Sequence, residues 1–286
     1  MTTDSYVVSP LFFPGGNIGR LAVNGTINDI AMSGARPLYL TASFIIEEGF
    51  ALAELKRIAD SMGEASRLAC VPIVSGDTKV VERGKADGVF VTTAGVGVIP
   101  PGLDLSRDRA RPGDVVVLSG AIGEHGVAVM SKRENLEFET EILSDTAALH
   151  GLVADMVAAA GPHLRVMRDP TRGGLAATLN EFAHASRLGF SLDETAIPVR
   201  AEVAAACEFL GLDPLNVANE GKLVAIVAPE GAEALVTAMR AHPLGAAAAV
   251  IGRAVEDEQY FVEMRTAFGG GRIVDWLAGE QLPRIC

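Results

Sequence analysis

The chain has 286 residues, of which 49% are hydrophobic and only 5% aromatic, and its formal net charge is −12. That length fits two ordinary domains or one large one, and the acidic balance disfavours nucleic acid as a main partner. The sequence has neither a run of about 18 apolar residues nor the basic and apolar regions of a signal peptide, so we expect no membrane partner. The chain has three cysteines, a small and odd number that does not suit a disulfide scaffold. This favours a cytoplasmic protein.

The first third of the chain predicts a domain that mixes strands and helices. Apolar periodicity and turn residues predict strands at 6–13, 71–74 and 89–99, and helices at 19–33 and 52–69. The sequence Pro100-Pro101-Gly102 is a strong breaker of regular structure. We therefore expect a domain boundary there.

The rest of the chain also mixes predicted strands and helices. It predicts strands at 115–118, 164–167, 223–228, 248–255 and 260–264, and helices at 124–132, 144–160, 174–187 and 230–241. Strands and helices alternate without strict order. The sequence therefore predicts an α/β (α+β) fold with two mixed-sheet domains covered by helices.

Four short segments interrupt the apolar texture with acids and amides. They are Thr3-Asp4-Ser5, Asn28-Asp29, Ser75-Gly76-Asp77-Thr78-Lys79 and Asp169-Pro170-Thr171-Arg172-Gly173-Gly174. An acid beside an amide inside an apolar helix, as at Asn28-Asp29, is unfavourable unless it has partners or binds a cation. The paired glycines Gly173 and Gly174 open a helix, whose free N–H groups favour an anion. Asp77 and Lys79 are expected at the end of a strand, where α/β proteins commonly bind ligands.

Each of these segments also has an ordinary structural explanation. Asp4 suits a turn at a strand edge, Asp77 suits a simple turn, and Asp169 suits a helix cap. Together with Lys79 and Arg172, however, acids near glycine-rich turns indicate a site for Mg²⁺ and a nucleotide, because magnesium prefers oxygen ligands and phosphate prefers cations. The chain lacks the G-x-x-x-x-G-K-[ST] and dinucleotide fingerprints, so the site must have another design.

Two further features suggest covalent or acid–base chemistry. Glu220 and Lys222 come just before a predicted strand, where they form either a solvated turn or a pair that acts as a general base and orients a substrate. Cys286 is the last residue, and a C-a-a-X lipidation signal would need the cysteine earlier. A terminal thiol is suited to carrying a group covalently, although a chance ending is the plain alternative. Cys70 and Cys207 are predicted to be small buried residues.

With these motifs the chain resembles the HypE family of hydrogenase-maturation proteins, the carbamoyl dehydratases, over nearly its whole length. The resemblance rests on residues 3–8, 10–19, 76–81, 169–174, 219–222 and 283–286. The final Pro-Arg-Ile-Cys is its most specific part. Asn28-Asp29 and the Asp169 loop are shared more widely, with the aminoimidazole-ribonucleotide synthetases and selenophosphate synthetases.

The resemblance implies an aminoimidazole-ribonucleotide-synthetase-like fold in three parts. These are an N-terminal ATP-binding and dimerisation domain over 1–103, a C-terminal α/β domain over 104–278, and a flexible tail over 279–286 that carries the terminal cysteine. Family members usually have a further segment ahead of Thr3-Asp4-Ser5, so we expect the first domain to be truncated at its start. The implied assembly is a homodimer formed through the N-terminal sheets.

The resemblance also implies functional residues by position. The implied ligands of Mg²⁺ are Asp4, Asp29, Asp77 and Asp169, and the implied ATP-binding residues are Asn28, Asp29, Asp77, Lys79, Asp169, Thr171, Gly173 and Gly174. The implied catalytic residues are Cys286 as carrier, Glu220 as base, and Lys79 as a cation that neutralises developing charge.

The implied function is ATP-dependent dehydration of an S-carbamoyl group on Cys286 to a thiocyanate, which supplies cyanide ligands for the iron of nickel–iron hydrogenase. The implied partners are a HypF-type carbamoyltransferase, which loads the thiol, and a HypC–HypD-type scaffold complex, which accepts the cyanide. Two alternatives stay open at this point. One is an ATP-dependent ligase or kinase of the same superfamily acting on a small molecule, which leaves the terminal cysteine unexplained. The other is a non-catalytic delivery scaffold.

Overall fold

The computed structural model describes residues 1–136, 140–277 and 284–286. Its first part contains β1 (Thr2–Tyr6), β2 (Phe12–Phe13), β3 (Gly16–Asn17), α1 (Ile18–Met32), β4 (Arg36–Glu47), α2 (Leu52–Leu68), β5 (Ile73–Val81) and β6 (Val89–Val98). Its second part contains β7 (Val115–Leu118), α3 (Glu124–Arg133), α4 (His150–Ala160), β8 (Leu164–Arg168), α5 (Gly174–Ser186), β9 (Gly189–Asp193), α6 (Ala201–Leu210), β10 (Val224–Val227), α7 (Pro229–Ala241), β11 (Ala249–Val255), β12 (Val262–Arg265) and β13 (Gly271–Ile273). Short 3₁₀ helices lie at Gly161–His163, Glu194–Ala196, Pro214–Asn216 and Pro243–Gly245.

The first sheet has the strand order β1-β6-β4-β5, and helix α1 packs against one of its faces. Asn17 starts this helix, because its side chain accepts hydrogen bonds from the N–H groups of Gly19 and Arg20. Leu21 and Ile27 of α1 have no exposed surface. The burial of this apolar helix against the sheet forms the core of the first domain, and it fixes where Asn28 and Asp29 lie.

The second sheet has the order β13-β12-β9-β11-β7-β10-β8 and is buried on both faces at its centre. Side chains alternate along a strand, so Val116 and Ile226 pack with α5 residues on one face, whereas Val117 and Val227 pack with α4 and α7 residues on the other. The helices on both faces explain why the central strands are almost wholly apolar. The loops at the ends of β8 and before β10 then carry the polar residues.

The structure corrects several predicted elements. The strand predicted at 6–13 is wrong, since β1 ends at Tyr6 and the N–H groups of Val7 and Ser9 donate to the last residues of the chain. The strand predicted at 71–74 runs from Ile73 to Val81 instead. Strands β4, β9 and β13 were not predicted. Cys70 is exposed rather than buried, because it lies in a left-handed turn with φ of 54°, while Cys207 is buried as predicted.

None of the helices within the described ranges is both long enough and apolar enough to cross a membrane.

Candidate active site

The end of the chain is bound to the first domain. The N–H of Val7 donates to the carbonyl oxygen of Cys286 at 3.0 Å, and the N–H of Ser9 donates to that of Arg284 at 3.2 Å. Ile285, between them, is 2% exposed and belongs to the core of the first domain. The tail was predicted to be flexible over 279–286; its last three residues are held in place here, and 279–283 lie outside the described residues.

Four carboxyl groups converge near this docked cysteine. Asp4 lies on β1, Asp29 on α1, Asp169 directly after β8, and Glu220 in the segment before β10. Burial, followed by the charge of Asp29, raises the pKa of Asp169 to about 7. Burial, followed by the charge of Asp169, raises the pKa of Glu220 well above its ordinary value. Asp29, Asp169 and Glu220 thus have raised pKa values and resist ionisation until a cation changes their surroundings.

Cys286 lies within reach of these groups. Burial, followed by the charge of Glu220, raises the pKa of its thiol to about 12, and Arg172 opposes the shift by charge and by hydrogen bonding. The docked sulfur therefore holds its proton when it carries no group. A carboxyl group and a guanidinium both act on this sulfur, which suits removing a proton from one atom and stabilising charge on another.

The backbone of Glu220 is fixed from both sides. Its N–H donates to Asp145 Oδ1 at 3.0 Å, and its carbonyl oxygen accepts from Asn28 Nδ2 at 3.2 Å. A Cβ on Gly221 would lie 1.8 Å from the backbone oxygen of Asp145, so only glycine allows this approach. Within the part of the chain that the structure describes, Glu220 Oε1 is buried and has no hydrogen-bond partner. This oxygen is available to a substrate.

One interpretation of the sequence paired Lys222 with Glu220, but the structure shows other partners for Lys222. Its Nζ contacts Glu124 Oε2 at 3.0 Å and Asp145 Oδ2 at 3.2 Å. Glu124 is also paired with Arg200 at 2.8 Å. This ion network lies behind Glu220 and braces the Asp145 carboxylate that holds its backbone.

Asn28 is bonded to the backbone of other segments. It is fully buried, and its amide donates to the carbonyl oxygens of Ala147 and Glu220 and accepts from the N–H of Leu149. These bonds use both amide N–H groups and the amide oxygen. Asn28 therefore ties α1 to the segments before α4 and β10, and its binding of ATP stays a prediction.

Asp29 and the Asp169 loop, which the sequence predicted for a nucleotide site, lie close enough for the charge of Asp29 to act on Asp169. Asp29 accepts a hydrogen bond from the Thr2 hydroxyl at 3.0 Å, and burial, followed on the raising side by Asp4, raises its pKa. After Asp169, the chain turns through Thr171 and through Gly173 and Gly174, both at positive φ, into α5. Gly174 packs so closely that a Cβ would meet the Leu215 carbonyl oxygen at 2.4 Å, which explains the glycine.

Asp77 and Lys79 do not join this cluster within one chain. Asp4 pairs with Thr93, which is buried against α1, whereas Asp77 pairs with Ser43 and lies on the opposite face of the sheet. Both Asp77 and Lys79 are exposed, and they pair with each other at 3.3 Å. They lie within β5 rather than at its end, so the predicted strand-end position is wrong.

Over the described residues, no three His, Cys, Asp or Glu side chains form a group with metal-binding geometry. The sequence reasoning missed Asp145 and His125, and it noted Arg172 only as a general cation. Arg172 could have been found from its place in the Asp169 loop. Asp145 gave no signal, because its partners lie about 75 residues further along the chain.

Comparisons with known proteins identify the family of the chain. The AIR synthase related protein N-terminal domain matches residues 1–99, and the AIR synthase related protein C-terminal domain matches residues 111–265. The carbamoyl dehydratase HypE of Rhizobium leguminosarum bv. viciae is 77% identical over 286 residues, which are 100% of this chain and 82% of that protein.

Two solved structures are each 50% identical to the chain. The hydrogenase maturation protein HypE in complex with ATP has a TM-score of 0.96 and covers 100% of this chain and 86% of its own. The HypE–HypF complex has a TM-score of 0.93 over 96% of this chain and 90% of that one. The chain therefore belongs to the AIR synthase related family and, within it, to the HypE carbamoyl dehydratases.

Proposed function

We propose that the chain uses ATP to dehydrate a carbamoyl group carried on the Cys286 sulfur, giving a thiocyanate that supplies cyanide to the iron of a nickel–iron hydrogenase. One observation supports this above all. The terminal cysteine is docked beside a buried carboxyl group, Glu220, and beside a guanidinium, Arg172. Neither a carrier scaffold nor an enzyme acting on a free small molecule needs its own last residue in such a site.

The reaction balances as a transfer of the carbamoyl oxygen to phosphate. That oxygen attacks the γ-phosphorus of ATP, ADP leaves, and one N–H proton is lost as the C=N bond forms. Glu220 removes the second N–H proton while the C–O bond breaks, so phosphate leaves and the C≡N bond remains on sulfur. The unpartnered Oε1 of Glu220 supports this role, because a base must reach the proton directly.

The carboxyl groups fit a magnesium ion together with the phosphates. After burial, the charge of Asp29 raises the pKa of Asp169, and the charge of Asp4 raises the pKa of Asp29; a bound cation would relieve that repulsion. Mg²⁺ is usually held by one or two carboxylates plus phosphates and waters, so a ready-made cage is unnecessary. We assign Asp29 and Asp169, with Asp4 beside them, to hold the ion, which would neutralise charge on the phosphates. Thr171, Gly173 and Gly174 line the same loop.

Asp77 and Lys79 require a second copy of the chain to take part. They lie on the open face of the first sheet, together with exposed Tyr39 and Ile45. We propose a homodimer formed through this face, in which Asp77 and Lys79 of one copy serve the ATP site of the other. In this proposal the N-terminal domain is therefore also the dimerisation domain.

The proposed protein partners are those that the resemblance to the HypE family implies. A HypF-type carbamoyltransferase loads the thiol, and the solved HypE–HypF complex supports such a contact. The docked thiol has a raised pKa and the thiolate is the nucleophile, so we propose that loading takes place with the tail outside the site. A HypC–HypD-type complex would then accept the cyanide.

Intact-mass measurement tests the proposal. The purified chain is incubated with a HypF-type enzyme and carbamoyl donor, and then with ATP and Mg²⁺. We expect the chain to gain one carbamoyl group and then to lose one water, and a Cys286→Ala variant to gain nothing. A carbamoylated chain that keeps its water while ATP is present would favour the delivery scaffold. ATP consumption without any tail modification would favour a small-molecule enzyme of the superfamily.

A further inference from the structure

One buried histidine bonds to the docked tail and has no part in the proposed chemistry. His125, on α3, is 0% exposed. Its Nε2 lies 2.9 Å from the carbonyl oxygen of Ile285, the residue directly before the carrier cysteine, and its Nδ1 lies 2.8 Å from Ser144 Oγ. The two bonds join α3, the segment before α4 and the end of the chain.

The bonding pattern fixes the tautomer of this imidazole. A carbonyl oxygen only accepts, so Nε2 must carry the proton and donate to Ile285. Ser144 Oγ accepts from the N–H of Thr146 at 3.2 Å, which leaves the serine proton free to be donated to Nδ1. Burial also lowers the pKa of His125, in keeping with a neutral ring. Thr146 N–H, Ser144 and His125 therefore form a directed chain of hydrogen bonds that ends on the tail.

We infer that His125 is a positioning residue, which holds the tail so that the Cys286 sulfur stays beside Glu220. This inference rests on the proposed dehydration at that site. The bond is made one residue away from the carrier, where a shift of the backbone moves the sulfur directly. A second side chain, Arg133, donates to the carbonyl oxygens of Ser9 and Arg284 at 2.8 and 2.9 Å, so His125 fixes the tip while Arg133 fixes the base of the docked segment.

The plain alternative is a core histidine that only fills space. His125 does pack edge-on against Phe13, with ring centroids 5.4 Å apart. A packing role predicts that a shape-preserving substitution without the N–H has no specific effect on the tail. A positioning role predicts that only the steps made with the tail docked become slower. Their rate should recover when a hydrogen-bond donor is restored.

The test uses His125→Leu and His125→Gln, because the glutamine amide can donate from about the place of Nε2. Both are made with Cys70→Ser, which removes an exposed thiol, and Ser144→Ala is a second, milder variant. We expect Cys286 in His125→Leu to react with a thiol reagent roughly three- to tenfold faster, the effect of one lost hydrogen bond. Dehydration of the loaded chain should slow by a similar factor, while loading keeps its rate or gains.

His125→Gln should recover most of both effects, and Ser144→Ala should shift both in the direction of His125→Leu. Equal thiol reactivity in the parent and in both loss variants would overturn the inference. So would a loss of loading and dehydration alike that glutamine does not rescue. If the parent itself performs no dehydration, the proposed function fails, and the reactivity measurement still decides whether His125 holds the tail.

Discussion

Glu220 is the proposed base, and the fold alters the ionisation of its carboxyl group. The residue is 2% exposed, and burial together with four neighbouring acids raises its pKa. In Glu220→Gln, the shape and the backbone bonds to Asp145 and Asn28 persist while the base is lost. We expect loading of Cys286 to survive and single-turnover dehydration to fall by roughly 10²–10⁴. Quench-flow mass spectrometry of the loaded chain measures both.

The pH profile provides the control for this prediction. A base must be ionised, so the parent's dehydration rate should rise with pH through an apparent pKa well above the ordinary carboxylate value. The glutamine variant should lose that rise. Dehydration at the parental rate in Glu220→Gln would show that the base lies elsewhere.

Asp169 links the site to the stability of the protein. Its pKa is raised from 3.8 to about 7, so the folded state holds a proton that the unfolded state has lost between these values. Stability therefore falls as pH rises across this window, by up to roughly 4 kcal/mol if the full shift applies. Asp169→Asn should raise the melting temperature at pH 8, with little change at pH 4.

The same substitution should weaken binding of Mg²⁺ and ATP, because it removes a charged ligand. Asp155 is an exposed acid on α4, and Asp155→Asn is the matched control for a change of one charge. Calorimetry of both variants with Mg²⁺–ATP measures the effect. Unchanged affinity in Asp169→Asn and in Asp29→Asn would remove these residues from the metal site.

At the scale of elements, helix α1 is the part that ties the two domains together. Asn28 bonds to three backbone groups of the second domain, whereas Asn24, one turn earlier, makes a single bond to Thr146 at 3.3 Å. Asn28→Ala leaves buried backbone groups without partners, so we expect it to lower the free energy of unfolding by about 2–4 kcal/mol. Asn24→Ala is the matched control, and it should cost about 1 kcal/mol. Denaturant unfolding that gives equal losses would contradict this role of Asn28.

Elements with a strong local signal could be predicted from the sequence. The helices α1 and α2 have apolar periodicity over four turns, and β7 is an apolar run between turn residues, so each lies within two residues of its predicted bounds. Strand β4 was missed, although it is 12 residues long. Its buried side chains lie on one face only, so the strand has no continuous apolar run. Arg36-Pro37 at its start is also typical of a turn. Its strand character comes from pairing with β5 and β6.

The site was predictable in part for the same reason. Asp29 and Asp169 interrupt an apolar pattern, so the sequence alone marks them, whereas Glu220 also suited a solvated turn and its role as base was implied by the family resemblance. His125 and Asp145 break no pattern, and their roles depend on contacts across 160 and 75 residues of chain. Asp77 and Lys79 belong to a motif that is visible in the sequence, but the sequence does not show on which face of the sheet they lie. One residue of register decides that face.

At the scale of the molecule, the helices that the structure describes cover the first sheet on one face only. The other face carries Tyr39, which is 50% exposed, and Ile45, which is 40% exposed. The edge strand β5 is exposed along most of its length, including Val74 and Val80. Apolar side chains beside an open strand edge are features that a partner commonly covers. A second copy fits, since the same face then meets itself about a twofold axis.

The last prediction follows from this face. Ile45→Glu replaces an apolar side chain at its centre by a charge, whose removal from water in the interface is unfavourable, so we expect the parent to sediment as a dimer and Ile45→Glu as a monomer. Leu52→Glu is the matched control, because Leu52 is 79% exposed at the start of α2 and lies off this face. Since Lys79 pairs directly with Ile45 across the strands, the monomeric variant should also lose affinity for Mg²⁺–ATP if Lys79 serves the partner's site. A parent that sediments as a monomer at micromolar concentration would contradict the dimer. An Ile45→Glu monomer with full affinity would instead confine ATP binding to one chain and remove Lys79 and Asp77 from the site.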